Sequence, residues 1–102
     1  METPPSPPVH NNVVLTVKDP AHVATVADLL KEQASLAREE PGCLRFEVHH
    51  DTTDPRMFLL LESWESAAHL AAHRQAPAFV ALYQPRVLPL VERTPYVCAR
   101  IA

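Results

Sequence analysis

The chain has 102 residues, 47% of them hydrophobic and 21% charged, with a formal net charge of −3. That length holds one small domain with a single core, and nine scattered Lys and Arg residues form no basic stripe able to track phosphates. Nucleic acid is therefore excluded as the main partner.

Compartment follows from composition and the N-terminal pattern. The two cysteines form no Cys-x-x-Cys, and the N-terminus shows neither a positive segment nor an apolar one, so a reducing, cytoplasmic setting is expected. The longest apolar run, Met57–Leu61, is far shorter than the roughly 20 residues that cross a bilayer. No membrane association is expected.

Residues 1–9 are Pro-rich and hold little that can pack, which predicts a disordered tail ahead of one domain over residues 10–102. Val13–Val17 is β-branched and predicts the first strand. Asp19-Pro20 is a helix start, with Asp19 as N-cap and Pro20 in the first turn. From there Val23, Val26, Ala27, Leu30, Ala34 and Ala37 recur at helical spacing, with Leu29 and Leu36 on the flank, and predict a helix to about Glu39. Glu40-Pro41-Gly42 ends it, and Gly42 is the only glycine in the chain.

Cys43–His50 and Arg56–Trp64 are strand-length runs on either side of the turn-forming Asp51–Pro55. In the first of them Leu44, Phe46 and Val48 alternate with Arg45, Glu47 and His49, which predicts one buried and one polar face. Met57–Leu61 is apolar throughout, so both faces of that strand need cover. A helical layer covers one, and a second copy of the chain is the simplest cover for the other. Ser66 then caps a short helix to Gln75. A further helical piece carries Phe79, Val80, Tyr83 and Val87, with breaks expected at Pro85 and Pro89, and Pro95–Ile101 predicts the last strand. The order βαββαβ predicts a ferredoxin-like α+β sandwich with an antiparallel sheet in the order 4-1-3-2.

Several side chains could carry chemistry. Trp64 stands at the junction of the third strand and second helix, either as core filling or as the wall of an aromatic pocket. Glu65, His69 and His73 recur at four-residue spacing, a pattern that suits a solvated helix face and only weakly a metal. His49 and His50 fall on opposite strand faces near a turn, where exposure is expected. Cys43 and Cys98 read as small buried hydrophobes on opposite sheet edges, too far apart for a disulfide. With one glycine, no dinucleotide fingerprint exists.

The sequence Glu-Pro-Gly-Cys-Leu-Arg-Phe-Glu-Val, followed by Leu-Glu-Ser-Trp-Glu-Ser and His-Leu-Ala-Ala-His, resembles the antibiotic biosynthesis monooxygenase family, which includes quinol monooxygenases. The resemblance spans Asn12 to Ile101. It implies a dimeric α/β-barrel and a cofactor-independent oxygenation of a phenolic, quinol or anthrone-like compound by dioxygen. It also implies roles for Trp64 in stacking, His73 in proton transfer, Arg86 in favouring the substrate anion, and Phe79, Tyr83 and Leu60 in lining the pocket. Some members carry an asparagine where this chain has Leu60. The haem-degrading branch uses an asparagine inside the first strand, and Asn11 and Asn12 are expected to precede that strand. A non-catalytic binding dimer of the same fold and a haem-binding protein stand as alternatives.

Overall fold

The computed structural model describes residues 7–102, and residues 1–6 of the tail expected over residues 1–9 lie outside them. Four strands, β1 (Val9–Val17), β2 (Cys43–His50), β3 (Met57–Trp64) and β4 (Val91–Cys98), form one sheet in the order β2-β3-β1-β4. All three pairings are antiparallel, which is the ferredoxin-like arrangement. One face is covered by α1 (Val23–Ala37), α2 (Ala67–His73) and a π-helical segment, Ala78–Val87. No helix among the described residues is long and apolar enough to cross a membrane.

Local chemistry sets the helix starts. The Asp19 side chain accepts a hydrogen bond from the Ala21 amide at the head of a single 3-10 turn, Pro20–His22, which leads into α1. Ser66 accepts from the His69 amide and caps α2. Gly42 takes φ +77°, the left-handed conformation that glycine adopts without strain, and its missing Cβ leaves room for the His69 ring.

Alternation splits each central strand. Asn11, Val13, Leu15 and Val17 of β1 and Phe58, Leu60, Glu62 and Trp64 of β3 are buried under the helices. Val14, Thr16, Met57, Leu59 and Leu61 lie half-buried on the opposite, uncovered face. Around Val13, Leu15, Leu30, Phe58 and Leu60 the core is purely apolar. A smaller cluster joins Trp64, Phe46 and Leu70 to Ala34 and Ala37, whose short side chains bring α1 close enough to cover the indole.

Four boundaries depart from the sequence expectation. β1 begins at Val9, because His10, Asn11 and Asn12 pair with Ser63, Glu62 and Leu61 on one side and with Cys98, Val97 and Tyr96 on the other. Being paired on both edges overrides the low strand propensity of asparagine. β4 runs Val91–Cys98 and ends short of Ile101, its last pairing with β1 being that of Cys98 with His10. In β2, Leu44 is 59% exposed, because a bulge between Cys43 and Arg45 takes it out of the ladder. Finally, Pro85 lies inside the π-helical segment and does not break it.

Candidate active site

His73, the last residue of α2, is the centre of the site. Its side chain is 2% exposed, and its ring stacks on the Trp64 indole with centroids 4.5 Å apart at 28°. Phe79 meets it edge-on at 5.7 Å, and Phe46 lies 5.8 Å away. Such contacts fix the plane of the imidazole.

Two carboxylates bracket that ring. Nδ1 donates to Glu40 Oε1 at 2.7 Å, and Nε2 faces Glu62 Oε1 at 3.8 Å. Glu40 is placed by the turn that ends α1, where the Cys43 amide donates to the Glu40 carbonyl and Arg38 Nε donates to the Phe46 carbonyl on β2. With Glu40 accepting at Nδ1, the lone pair of a neutral imidazole resides on Nε2. Glu62 sits on the covered face of β3, two residues before Trp64, and accepts from the indole Nε1 at 3.1 Å. Burial pushes the Glu62 carboxyl above its ordinary range; hydrogen bonding from Trp64 and Asn11 and the Arg93 charge only partly oppose it.

The far side of the cluster is formed by Tyr83 on the π-helical segment. Its ring lies 5.3 Å from that of Phe79, and its hydroxyl accepts from Arg93 Nε at 3.1 Å. Burial pushes the Tyr83 phenol up to about 12, against the pull of Arg93. The segment is wound more widely than an α-helix, a form that often marks functional sites.

The structure thus brings together Trp64, His73, Phe79 and Tyr83, with Leu60 two positions from Trp64 along the same face of β3. Arg86 is not brought to them: it is exposed between the buried Tyr83 and Val87. Arg93 of β4 is the arginine that reaches the cluster. Asn11 is corrected as well. It lies inside β1, 2% exposed, opposite Glu62 on the covered face. Glu40, Glu62 and Arg93 escaped the sequence reading as site residues, although Glu62 was detectable as the one charge in the alternation Phe58, Leu60, Glu62, Trp64.

The remaining candidates lie elsewhere. His69 packs over Gly42, with its Nδ1 2.7 Å from Ser66 Oγ, and Glu65 is exposed. No group of three or more potential ligands that could hold a metal ion occurs among the described residues. His49 pairs with Glu47, while His50 stacks on Phe58 at 4.3 Å and both histidines are exposed. Cys43 is half-buried and Cys98, expected to be buried, is exposed, because β4 is an edge strand that the helices leave uncovered. Both thiols are free.

A four-stranded antiparallel sheet with helices on one face, and an aromatic and carboxylate cluster beneath them, defines a ferredoxin-like α+β domain with a buried polar site. The model of the antibiotic biosynthesis monooxygenase family matches residues 8–84, and the chain belongs to that family. An uncharacterised Synechocystis protein is 40% identical over 43 residues, which is 42% of this chain and 29% of that protein's length. Among solved structures, a Bacteroides thetaiotaomicron protein described as an oxidoreductase candidate matches with a TM-score of 0.86 at 23% identity, over 93% of this chain and 99% of that one. A Pseudomonas aeruginosa protein matches with a TM-score of 0.86 at 24% identity, over 98% and 100% of the two chains. At these identities the structural likeness establishes the fold.

Proposed function

We propose that this chain is a cofactor-independent monooxygenase that oxidises a phenolic, quinol or anthrone-like aromatic with dioxygen. The observation that carries the reading is the His73 imidazole, stacked on Trp64 and held at Nδ1 by Glu40 so that Nε2 carries the basic lone pair. The aromatic ring takes its place among Trp64, Phe79, Tyr83 and Leu60, and an outward movement of the segment Ala78–Val87 admits it. Arg86, on the exposed side of that segment, takes no step in this reading.

In the reaction with an anthrone-like substrate Nε2 removes a proton from the reacting methylene; a phenol or quinol instead gives up its hydroxyl proton first and its single C–H proton in the later step. The resulting anion gives one electron to dioxygen, and the radical and superoxide so formed join in a C–O bond. The peroxide takes the proton back from His73. His73 then removes the second hydrogen of the same carbon as a proton, the O–O bond breaks, and the departing hydroxide recovers that proton as water. A methylene and dioxygen become a carbonyl and water, and the oxidant is dioxygen alone. The aromatic walls exclude bulk water from the anion, and the Glu62 carboxyl, which burial shifts toward its neutral form, faces Nε2.

The uncovered face of the sheet, with Met57, Leu59 and Leu61 at its centre, supports a homodimer built on that face. Asn11, Trp64 and His73 converge in the way the haem-degrading resemblance demands. The nitrogen that would bind iron nevertheless faces the Glu62 carboxyl, and the ring is packed between Trp64 and Phe79.

The test is oxygen uptake with a panel of quinols and anthrones, comparing the wild type with Trp64→Phe and His73→Gln. Substrate-dependent uptake that His73→Gln lowers by about 10²-fold or more supports the reading. Uptake unaffected by His73→Gln removes His73 from the mechanism, and no uptake with any compound leaves a binding protein of the same fold.

A further inference from the structure

The sheet face turned away from His73 carries a polar row at one end. Arg45 of β2 pairs with Ser63 of β3, Ser63 with His10 of β1, and His10 with Cys98 of β4, so these side chains cross all four strands on one level. They alternate with Phe46, Glu62 and Asn11, which are buried on the helix-covered side. Together with Asn12 and Arg100 they line a pocket of about 520 Å³, a size that suits a small molecule.

The lining holds two guanidinium groups and no carboxylate. Ser63 Oγ lies 2.8 Å from His10 Nδ1; with Ser63 donating, His10 keeps its proton on Nε2 and offers it as a donor. Arg45 donates from Nε and one Nη to Glu47 at 2.7 and 3.1 Å, and its other N–H groups take no part in that pair. The pair is exposed, so it holds the guanidinium only weakly. Arg100 gives its Nε–H to an oxygen of Ala102 and keeps the outer edge of its fork. Charged donors without a carboxylate among them select an anion, and the planar guanidinium matches a carboxylate in particular.

An adjoining apolar pocket of about 490 Å³ shares His10, Ala99 and Arg100 with the first and is bounded by Pro7, Pro8, Leu44 and Ile101. Leu44, taken out of the ladder by the bulge, and Ile101 are both exposed. Two large aliphatic side chains in water beside one groove gain by being covered.

We propose that this groove is a second small-molecule site, on the opposite side of the sheet from His73, and that it takes an organic carboxylate. The carboxylate lies among Arg45, His10 and Arg100, and its apolar body covers Leu44 and Ile101. Ser63 follows Leu61 on the same strand face, so the groove starts at the margin of the row Met57, Leu59 and Leu61 and leaves that row to a second copy. The inference is independent of the oxygenation reading.

The test is titration calorimetry on the full chain with octanoate, 1-octanol and acetate. Octanoate is expected to bind, and octanol, which lacks the charge, at least about tenfold more weakly, as expected for lost charge-assisted hydrogen bonds. Acetate, which lacks the chain, is expected to bind at least about tenfold more weakly than octanoate. Arg45→Gln and Arg100→Gln each lower octanoate affinity by about tenfold and narrow its lead over octanol. Both side chains are exposed, so these variants fold as the wild type does. No binding of octanoate, equal binding of octanoate and octanol, or octanoate affinity unchanged by both arginine variants overturns the proposal. So does binding that is lost in His73→Gln and kept in Arg45→Gln, which puts the ligand beneath the helices.

Discussion

The His73 imidazole lies stacked on the Trp64 indole at 4.5 Å, and both rings hydrogen-bond to carboxylates: His73 Nδ1 to Glu40, and Trp64 Nε1 to Glu62. Stacking and hydrogen bonding together leave neither ring free to turn. Under the proposed function, a ring held in this way takes a proton from its substrate along a fixed direction.

Removing the Glu40 carboxylate is expected to free that ring. Glu40→Ala leaves the buried Nδ1–H without its acceptor, at a cost of about 1–3 kcal/mol. Urea denaturation read by the fluorescence of Trp64, the only tryptophan, measures this loss, and an unchanged midpoint would refute it.

Glu62→Gln is expected to separate stability from activity. Burial raises the Glu62 carboxyl above its ordinary range, so the folded state holds a proton that the unfolded state releases earlier. The Glu62 contribution to stability is therefore full below the unfolded pKa and is lost as pH rises through the folded one. Glutamine has no charge to desolvate and keeps an acceptor for Trp64 Nε1. The variant should unfold at higher urea than wild type at pH 8 and at nearly the same urea at pH 4, while its oxygen uptake falls. A lower midpoint at pH 8 would contradict this.

Gly42→Ala is expected to be destabilising for two reasons. The added Cβ would lie 2.3 Å from His69 Cδ2, and alanine would be forced to φ +77°. The backbone strain alone costs about 1–2 kcal/mol. In the background of His69→Ala the steric part disappears and the strain remains, so a double-mutant cycle should show a coupling energy of about 1 kcal/mol. Additive losses would show that His69 moves aside without cost.

The dimer is tested on the uncovered face. Leu59→Lys places a charge at the centre of the half-buried row Met57, Leu59 and Leu61, where a second copy would have to desolvate it. Sedimentation at micromolar concentration should show a dimer for the wild type and a shift toward monomer for the variant. A monomeric wild type would dispose of the proposal.

Alkaline titration checks the burial of Tyr83. Its phenol is pushed up to about 12, so at pH 11 tyrosinate absorbance should be the same in wild type and Tyr83→Phe. A larger signal in the wild type would mean that the hydroxyl is open to solvent.

The linear sequence determined the element order because each signal was local. Asp19-Pro20 and Ser66 cap their helices through side-chain to backbone hydrogen bonds a few residues long, Gly42 supplies the one left-handed turn among the described residues, and alternation along Met57–Trp64 separates two strand faces. Trp64, His73, Phe79 and Tyr83 were legible as a group through family motifs. Tertiary structure alone decided what those motifs meet. Asn11 belongs to β1 only because β3 and β4 pair with it on both sides, and Glu40 reaches His73 only because the end of α1 docks on β2. Arg93 replaces Arg86 beside Tyr83 because π winding turns Arg86 outward while β4 carries Arg93 inward. Each of these contacts joins residues far apart in the chain, and local propensity carries no information about such pairings: packing and the need to satisfy buried polar groups select them.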